Sequence, residues 1–247
     1  MKRPLAIDLF CGLGGWTEGL LAEGYYVVGF DIERHQYGEH RYPAQMVQQD
    51  VLTLHGSQFK DATLIVASPP CQAYSYRAMP WSRAKALPPP DNTLFEACFR
   101  IQREACEAAG RHIPMVVENV RGAQKWVGRA RWNYGSFYLW GDVPALMPTT
   151  NATKLPGFRF DGSGRSFQSA SVDGMKHDGS GWRANGTLVS NNRMVPDGVK
   201  MARQWWSNGA DALSAKTSSR SPARKAASAM IAKIPLPLSR HIARCYR

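Results

Sequence analysis

Short apolar runs alternate with amphipathic stretches through the first half of this chain, and this rhythm restricts the possible folds. The clearest runs are residues 5–7, 25–30, 64–67 and 115–117. Residues 92–109 carry apolar side chains at helical spacing before Gly110, which predicts a helix that ends there. Alternating strands and helices predict an α/β fold with a mostly parallel, doubly wound sheet that is covered on both faces.

Polar residues follow the predicted strands at the points where those strands end. In open parallel sheets, ligands bind at the carboxyl ends of the strands. We therefore expect one site that gathers Asp8, Asp31, Asp50, Cys71 and Glu118. The strand that would end near Asp50 is the weakest of the series.

A glycine-rich turn, residues 10–15, links the first predicted strand to a helix over residues 16–22. Glycines in such a turn let the backbone approach a ligand closely, although the turn also fits other nucleotide binders or a plain tight turn. Asp31 is placed to accept hydrogen bonds from ribose hydroxyls, and Ile32 could cover one face of an adenine. Asp50 could accept the adenine amino group. We expect Cys11 to be buried and inert.

The segment Pro69-Pro70-Cys71-Gln72 sets a cysteine just after an apolar strand, in a stiff turn. A cysteine there is placed to act as a nucleophile, although a packed cysteine at a strand end fits the same pattern. Glu118-Asn119-Val120 follows the next buried strand. The two segments together favour a reactive pair.

Taken in this order, the three segments resemble the DNA cytosine-5 methyltransferase family, over roughly residues 4–142 and 221–245. The resemblance implies a Rossmann-like S-adenosylmethionine-dependent methyltransferase fold with a small irregular target-recognition segment. It also implies S-adenosylmethionine as the cofactor. The residues that it assigns to the cofactor pocket are Phe10, Gly12, Gly14, Gly15, Asp31, Ile32, Asp50, Val51, Pro70 and Leu94.

The resemblance also implies how a cytosine would be methylated. Cys71 would attack C6 as a thiolate, partly ionised near neutral pH, and Glu118 would protonate ring N3 if burial raises its pKa. Asn119 would fix the loop and the carboxyl group, and Arg131 would help to hold cytosine O2. The predicted lid over the substrate strand, which also fits an ordinary solvated loop, spans residues 76–91 beyond Gln72 and Ser75 and carries Arg77, Arg83 and Lys85.

The net charge of +12 favours a polyanionic partner, and we expect double-stranded DNA with the target base flipped out. Residues 150–225 hold twelve Lys or Arg against five Asp and no Glu, which leaves seven positive charges. We therefore predict a target-recognition region over residues 146–220. The catalytic domain would consist of residues 1–145 and 221–247.

The chain departs from the family's pattern in two places. Arg129-Ala130-Arg131 lacks the glutamine of the family's Gln-x-Arg-x-Arg motif, and Ala232-Lys233 stands where the family carries a Gly-Asn pair. The recognition region is also short, which suggests a short target site or relaxed specificity, as in compact phage-type enzymes. A role in restriction-modification or in phage defence evasion stays open.

Several kinds of protein fit the sequence poorly. An odd number of five cysteines does not indicate a disulfide framework, and no CxxC pair or His/Cys cluster suggests a metal. No apolar run approaches the ~18 residues of a membrane span, and the N-terminus lacks the pattern of a signal peptide. We expect a monomer in the cytoplasm of a bacterial or phage-infected cell, associated with the nucleoid.

Three other functions remain open at this point. Ser68-Pro69-Pro70 resembles the Ser/Asp-Pro-Pro-aromatic signature of DNA amino-methyltransferases, although Cys71 stands at the aromatic position. A tRNA cytosine-5 methyltransferase would share the catalytic residues. A DNA-binding protein that keeps the fold without turnover is the third possibility.

Overall fold

The computed structural model describes residues 3–75, 87–148, 225, 229–230 and 232–247. The elements below belong to one compact unit, Met1–Thr149 with Ala232–Arg247. The strands and α-helices of this unit are β1 (Leu5–Leu9), α1 (Gly15–Ala22), β2 (Tyr26–Asp31), β3 (Gln36–Tyr37), β4 (His40–Arg41), β5 (Gln45–Gln48), β6 (Leu64–Ala67), α2 (Thr93–Ala109), β7 (Met115–Asn119), α3 (Gln124–Val127), β8 (Trp132–Tyr134), β9 (Phe137–Gly141) and α4 (Leu236–Cys245). Short 3-10 turns span Val51–Thr53, Gly56–Phe59 and Arg121–Ala123.

Seven strands form one sheet in the order β5-β2-β1-β6-β7-β9-β8. The pairs from β5 to β7 are parallel, and β9 runs antiparallel between β7 and β8. The mostly parallel sheet predicted from the sequence is confirmed, and its parallel strands begin or end within two residues of the predicted positions. The strand order reverses between β1 and β6, which creates the crevice where ligands bind in such sheets.

Side chains of the central strands alternate between two hydrophobic clusters, one on each face of the sheet. Ile7, Ile65 and Val117 belong to the cluster that α2 covers, whereas Val66 and Val116 belong to the cluster that α1 and α4 cover. Because both faces are buried, the strands carry continuous apolar runs rather than alternating polar residues. The sheet is therefore doubly wound, as predicted.

The C-terminal helix α4 packs closely on α1. A Cβ atom at Gly19 would lie 2.2 Å from Ser239 Oγ, so the two helices meet where a side chain is missing. The Tyr25 hydroxyl donates to the Ala243 carbonyl at 3.0 Å. Lys233, at the position of the family's Gly-Asn pair, binds Glu18 on α1 at 2.5 Å. A salt bridge thus joins the C-terminal segment to α1.

Within the described part of the chain, every helix is too short or too polar to cross a membrane. The same residues hold no group of three or more His, Cys, Asp or Glu side chains that could bind a metal ion. Of the predicted target-recognition region, only residues 146–148 are described. The boundaries predicted for the two domains stay predictions.

Candidate active site

The glycine-rich turn follows β1 and leads directly into α1. Gly12 and Gly14 have φ of 49° and 77°, a backbone conformation that glycine adopts without strain. Phe10 also has a positive φ, 57°, which is uncommon for a residue with a side chain and is often found at functional sites. A Cβ atom at Gly12 would meet nothing within 4 Å. Open space therefore lies beside the backbone of this turn.

Asp31, at the end of β2, is tied to the glycine turn. The Gly12 N–H donates to Asp31 Oδ2 at 2.9 Å, and the Glu33 N–H donates to Asp31 Oδ1 at 3.2 Å. Burial raises the pKa of Asp31, but hydrogen bonds from His35, Gly12 and Glu33 outweigh it, so the pKa is lowered overall. The carboxylate is therefore ionised and can accept further hydrogen bonds.

The other residues predicted for the cofactor pocket lie around the same carboxyl edge. Ile32, next to Asp31, is 64% exposed, and Val51 is buried. Asp50 Oδ1 accepts a hydrogen bond from the Leu52 N–H at 2.9 Å and so begins the 3-10 turn after β5. Pro70 is exposed just after β6, and Leu94 is half-buried in the first turn of α2. Gly14 and Gly15 are buried where the turn enters α1.

A buried polar network that the sequence did not predict supports the glycine turn from below. Thr17 Oγ1 donates to Asp8 Oδ2 at 2.6 Å and is 2.6 Å from the Tyr42 hydroxyl. Burial raises the pKa of Asp8 to about 8. A Cβ atom at Gly29 would lie 2.4 Å from the Tyr42 ring, and one at Gly14 would lie 2.5 Å from Pro43 and 3.1 Å from Tyr42. Tyr42 and Pro43 therefore pack closely against these glycines.

Cys71 lies in a tight turn after β6. Its carbonyl accepts hydrogen bonds from the Tyr74 and Ser75 N–H groups, each at 3.0 Å. The buried Tyr74 ring anchors this turn, because its hydroxyl donates to Asn92 Oδ1 at 2.9 Å. Gln72 is exposed on the turn. No pattern in the sequence indicated the role of Tyr74, because Asn92 is its partner only in the folded chain.

Glu118 and Asn119 end β7, the neighbour of β6. Asn119 is 1% exposed, and its side chain donates to the Pro69 carbonyl at 3.0 Å. This bond holds the cysteine turn against the end of β7, and the catalytic role predicted for Asn119 stays a prediction. Burial raises the pKa of Glu118 to about 8, although an interaction with Ser68 lowers it. Glu118 is therefore mostly protonated at neutral pH.

The structure brings Cys71 and Glu118 close enough for their charges to interact. Burial, and then the Glu118 charge, raise the pKa of the Cys71 thiol above its ordinary value. The thiol is half-buried rather than exposed, and it is protonated at neutral pH, which differs from the partly ionised thiolate predicted from the sequence. The site therefore pairs a thiol with a carboxylic acid. It can supply a nucleophile only after the thiol loses its proton.

Arg131 is the residue predicted to hold cytosine O2. It is exposed just before β8, and its backbone N–H donates to the Leu139 carbonyl. Burial raises the pKa of Tyr246 to about 12, and the nearby charge of Arg131 opposes that shift. Within the described part of the chain, Arg131 makes no hydrogen bond or ion pair with Cys71 or Glu118, so its role stays a prediction. Arg77, Arg83 and Lys85 lie outside the described residues. Cys11 is buried, as expected.

Residues 5–126 match the sequence model of the family described as C-5 cytosine-specific DNA methylase. These residues, just under half of the chain, form a C-5 cytosine-specific DNA methylase domain. The matched range contains the glycine turn, Cys71 and Glu118, so the resemblance drawn from the three segments is confirmed. No curated protein matches the chain.

Two solved structures are similar to about half of this chain. A candidate DNA modification methyltransferase encoded within a prophage of E. coli is 26% identical, with a TM-score of 0.36, over 51% of this chain and 34% of its own. The Dnmt2 methyltransferase of S. pombe is 19% identical, with a TM-score of 0.34, over 50% of this chain and 36% of its own. The chain thus covers about a third of the length of each.

Proposed function

We propose that this protein transfers a methyl group from S-adenosylmethionine to C5 of cytosine in double-stranded DNA. The observation that carries the proposal is the pairing of the Cys71 thiol with the buried, protonated Glu118 carboxyl at the adjoining ends of β6 and β7. Methylation of an exocyclic nitrogen needs no covalent catalyst, so a thiol beside a proton donor favours carbon methylation.

The carboxyl edge of β1 and β2 has features that fit S-adenosylmethionine. The ionised Asp31 can accept hydrogen bonds from ribose hydroxyls, and the exposed Ile32 side chain can cover the adenine. The open space beside Gly12 lets the backbone approach the ligand. S-adenosylmethionine supplies an electrophilic methyl group when it is bound. Phe10, Asp50, Val51, Pro70 and Leu94 would complete the pocket.

The residues of this chain would prepare the cytosine for that methyl group. The target base first leaves the duplex stack, because its C6 is otherwise out of reach. The Cys71 thiol loses its proton to water, and the resulting thiolate bonds to C6. The displaced π electrons reach N3, which takes the proton of Glu118. This makes C5 an enamine carbon and hence nucleophilic. After methylation, a base such as water removes the C5 hydrogen, the sulfur leaves C6, and the N3 proton returns to Glu118.

The basic stretch, residues 150–225, supports DNA as the substrate. It supplies seven of the twelve excess positive charges in under a third of the chain, and such charge binds phosphates regardless of sequence. We therefore propose that residues 146–220 hold the duplex while the catalytic domain, residues 1–145 and 221–247, acts on the base. The protein would bind one duplex site as a monomer.

Transfer of a labelled methyl group to duplex DNA tests the proposal directly, with tRNA as a second acceptor and the modified nucleoside identified. We expect 5-methylcytosine from the wild type and from Cys245→Ser, which changes an exposed cysteine on α4. Cys71→Ser should abolish transfer and keep DNA binding. An N-methylated base that survives Cys71→Ser would overturn the proposal, as would transfer to tRNA alone or DNA binding without any product.

A duplex with 5-fluorocytosine at the target position tests the covalent step separately. Fluorine cannot leave as a proton, so sulfur release is blocked once C5 carries the methyl group. We expect an adduct between protein and DNA that resists denaturation and is absent in Cys71→Ser. Methylation of ordinary cytosine without such an adduct would rule out attack by Cys71.

A further inference from the structure

Trp16 and Ser68 form a chain of hydrogen bonds to Glu118 on the face of the sheet that α1 covers. Trp16 is the second residue of α1 and is 2% exposed. Its indole N–H donates to the Ser68 hydroxyl oxygen at 3.0 Å. The indole nitrogen of a buried tryptophan needs a hydrogen-bond acceptor, and this serine supplies it.

The register of the sheet places Ser68 next to Glu118. Strands β6 and β7 pair in parallel with Ala67 opposite Val117. The next residue after Ala67 is Ser68 and the next after Val117 is Glu118, so these two are neighbours. Ala67 and Val117 face the cluster under α2. Side chains alternate along a strand, so Ser68 and Glu118 both face the α1 side, where Trp16 lies.

The hydrogen bond from Trp16 limits what the Ser68 hydroxyl can do. A hydroxyl has one hydrogen to donate, and its oxygen here already accepts the indole N–H. The hydrogen is then available to Glu118, and the interaction between Ser68 and Glu118 lowers the pKa of Glu118 against the effect of burial. Within the described part of the chain, Cys71 is the titratable group whose pKa responds to the Glu118 charge.

We propose that Trp16 and Ser68 are positioning residues for Glu118: the indole fixes the serine hydroxyl, which donates its hydrogen to one carboxyl oxygen. The proton of the acid is then held on the other oxygen, the one left to meet N3 of the base. This inference rests on the proposed function, because it concerns the orientation of the same proton donor. It also gives Ser68 a role that does not require amino-methyltransferase activity.

Titration of the Glu118 carboxyl carbon by NMR, in protein with ¹³C-labelled glutamate, tests the arrangement without any methyl acceptor. The Glu118→Gln spectrum identifies the signal. Ser68→Ala should raise the pKa of Glu118 by roughly half a unit to one unit, since a donor to the ionised form is lost. Trp16→Phe should shift it less in the same direction, and Ser68→Thr should stay near the wild type.

Tyr25→Phe is the matched control, because it removes one buried hydrogen bond, to the Ala243 carbonyl, away from Glu118. It should leave the Glu118 titration unchanged. An unchanged titration in Ser68→Ala would overturn the inference even if methyl transfer is found. A shifted titration in a protein that transfers no methyl group would support the hydrogen-bond arrangement and defeat the proposed function.

In protein that does transfer methyl groups, the rising limb of the pH profile of kcat/KM should move to higher pH in Ser68→Ala. Ser68→Thr should restore its position. A purely structural effect of Ser68 would lower kcat/KM at every pH and leave the limb where it is, which would count against positioning.

Discussion

Glu118 shows how one side chain takes its chemistry from its place in the fold. A glutamate in water is ionised at neutral pH, but burial at the end of β7 raises the pKa of this carboxyl to about 8. The same burial, with the Glu118 charge, raises the pKa of Cys71. Because their charges interact, the two groups titrate as a pair. The reactive form of this pair carries one proton, which is on the Glu118 carboxyl.

This pairing predicts the pH dependence of methyl transfer. The value of kcat/KM should rise up to about pH 8, where the pair loses its first proton, and fall at higher pH, where it has lost both. Glu118→Gln removes the donor and should lower kcat by roughly 10²–10⁴-fold. DNA binding measured at each pH is the control. A wild-type optimum well below pH 7 would contradict this assignment.

Glu118→Gln should also change the pH dependence of stability. The folded-state pKa of Glu118 lies above its ordinary value of 4.5, so its contribution to stability is full at low pH and lost as pH rises through about 8. Glutamine does not titrate. The melting temperature of Glu118→Gln, minus that of the wild type, should therefore increase between pH 5 and pH 9. A constant difference would show that this carboxyl is not buried in solution.

Asp31 is the residue on which cofactor binding should depend most. Its ionised carboxylate holds the glycine turn by accepting a hydrogen bond from the Gly12 N–H, and it can accept further hydrogen bonds from ribose hydroxyls. Asp31→Ala should weaken S-adenosylmethionine binding by roughly 10–100-fold, the value of one charge-assisted hydrogen bond or two. Calorimetry measures this, with the exposed Glu33→Ala as the matched control. Equal affinity in Asp31→Ala would place the ribose elsewhere.

At the scale of elements, the site depends on neighbouring strands and on one helix pair. Strands β1 and β6 are far apart in the sequence but pair in parallel, with Leu9 opposite Ala67. This pairing places the glycine turn, which follows β1, beside the cysteine turn, which follows β6. Helix α1 carries Trp16 into the same region, and α4 fixes α1 from outside.

The close approach of α1 and α4 predicts that Gly19 tolerates no side chain. A Cβ atom there would lie 2.2 Å from Ser239 Oγ and 2.5 Å from the Arg240 backbone nitrogen, so backbone must move to admit it. Gly19→Ala should lower the free energy of unfolding by about 1–3 kcal/mol, the usual cost of overpacking. Urea unfolding measures this, with the solvent-facing Leu21→Ala as control. A more stable Gly19→Ala protein would mean that α4 does not pack there.

On the scale of the whole molecule, charge is distributed unevenly. The described unit pairs several of its acids with bases, as in the salt bridges of Glu18 with Lys233 and of Glu23 with Arg240 and Arg244. Most of the excess positive charge belongs to residues 150–225. We expect these residues to supply the salt-dependent part of DNA affinity.

Binding to a duplex should therefore weaken steeply with salt. A protein that contacts six to ten phosphates loses roughly 10³–10⁵ in affinity between 50 and 200 mM salt. The double variant Lys154→Gln/Arg159→Gln should reduce the slope of log affinity against log salt by up to about one per contact removed. Lys60→Gln/Arg103→Gln, which changes two exposed residues of the catalytic unit, is the matched control. Equal slopes in both variants would remove the basic stretch from the DNA interface.

The sequence by itself indicated the parallel strands of the sheet and the helices α1 and α2, and it singled out Cys71 and Glu118 as the reactive residues. Apolar runs, glycine turns and the segments around Cys71 and Glu118 are local patterns, and local patterns persist in the folded chain. The helix predicted to end at Gly110 does end there, and the strand over residues 64–67 has the predicted bounds.

Only the tertiary structure decided which residues meet and how they ionise. The bond between Trp16 and Ser68 joins residues that are 52 positions apart, and Tyr74 finds Asn92 only when the cysteine turn is folded. The raised pKa of Glu118 comes mainly from burial. Burial and long-range hydrogen bonds are properties of the assembled core, so no local pattern could reveal them.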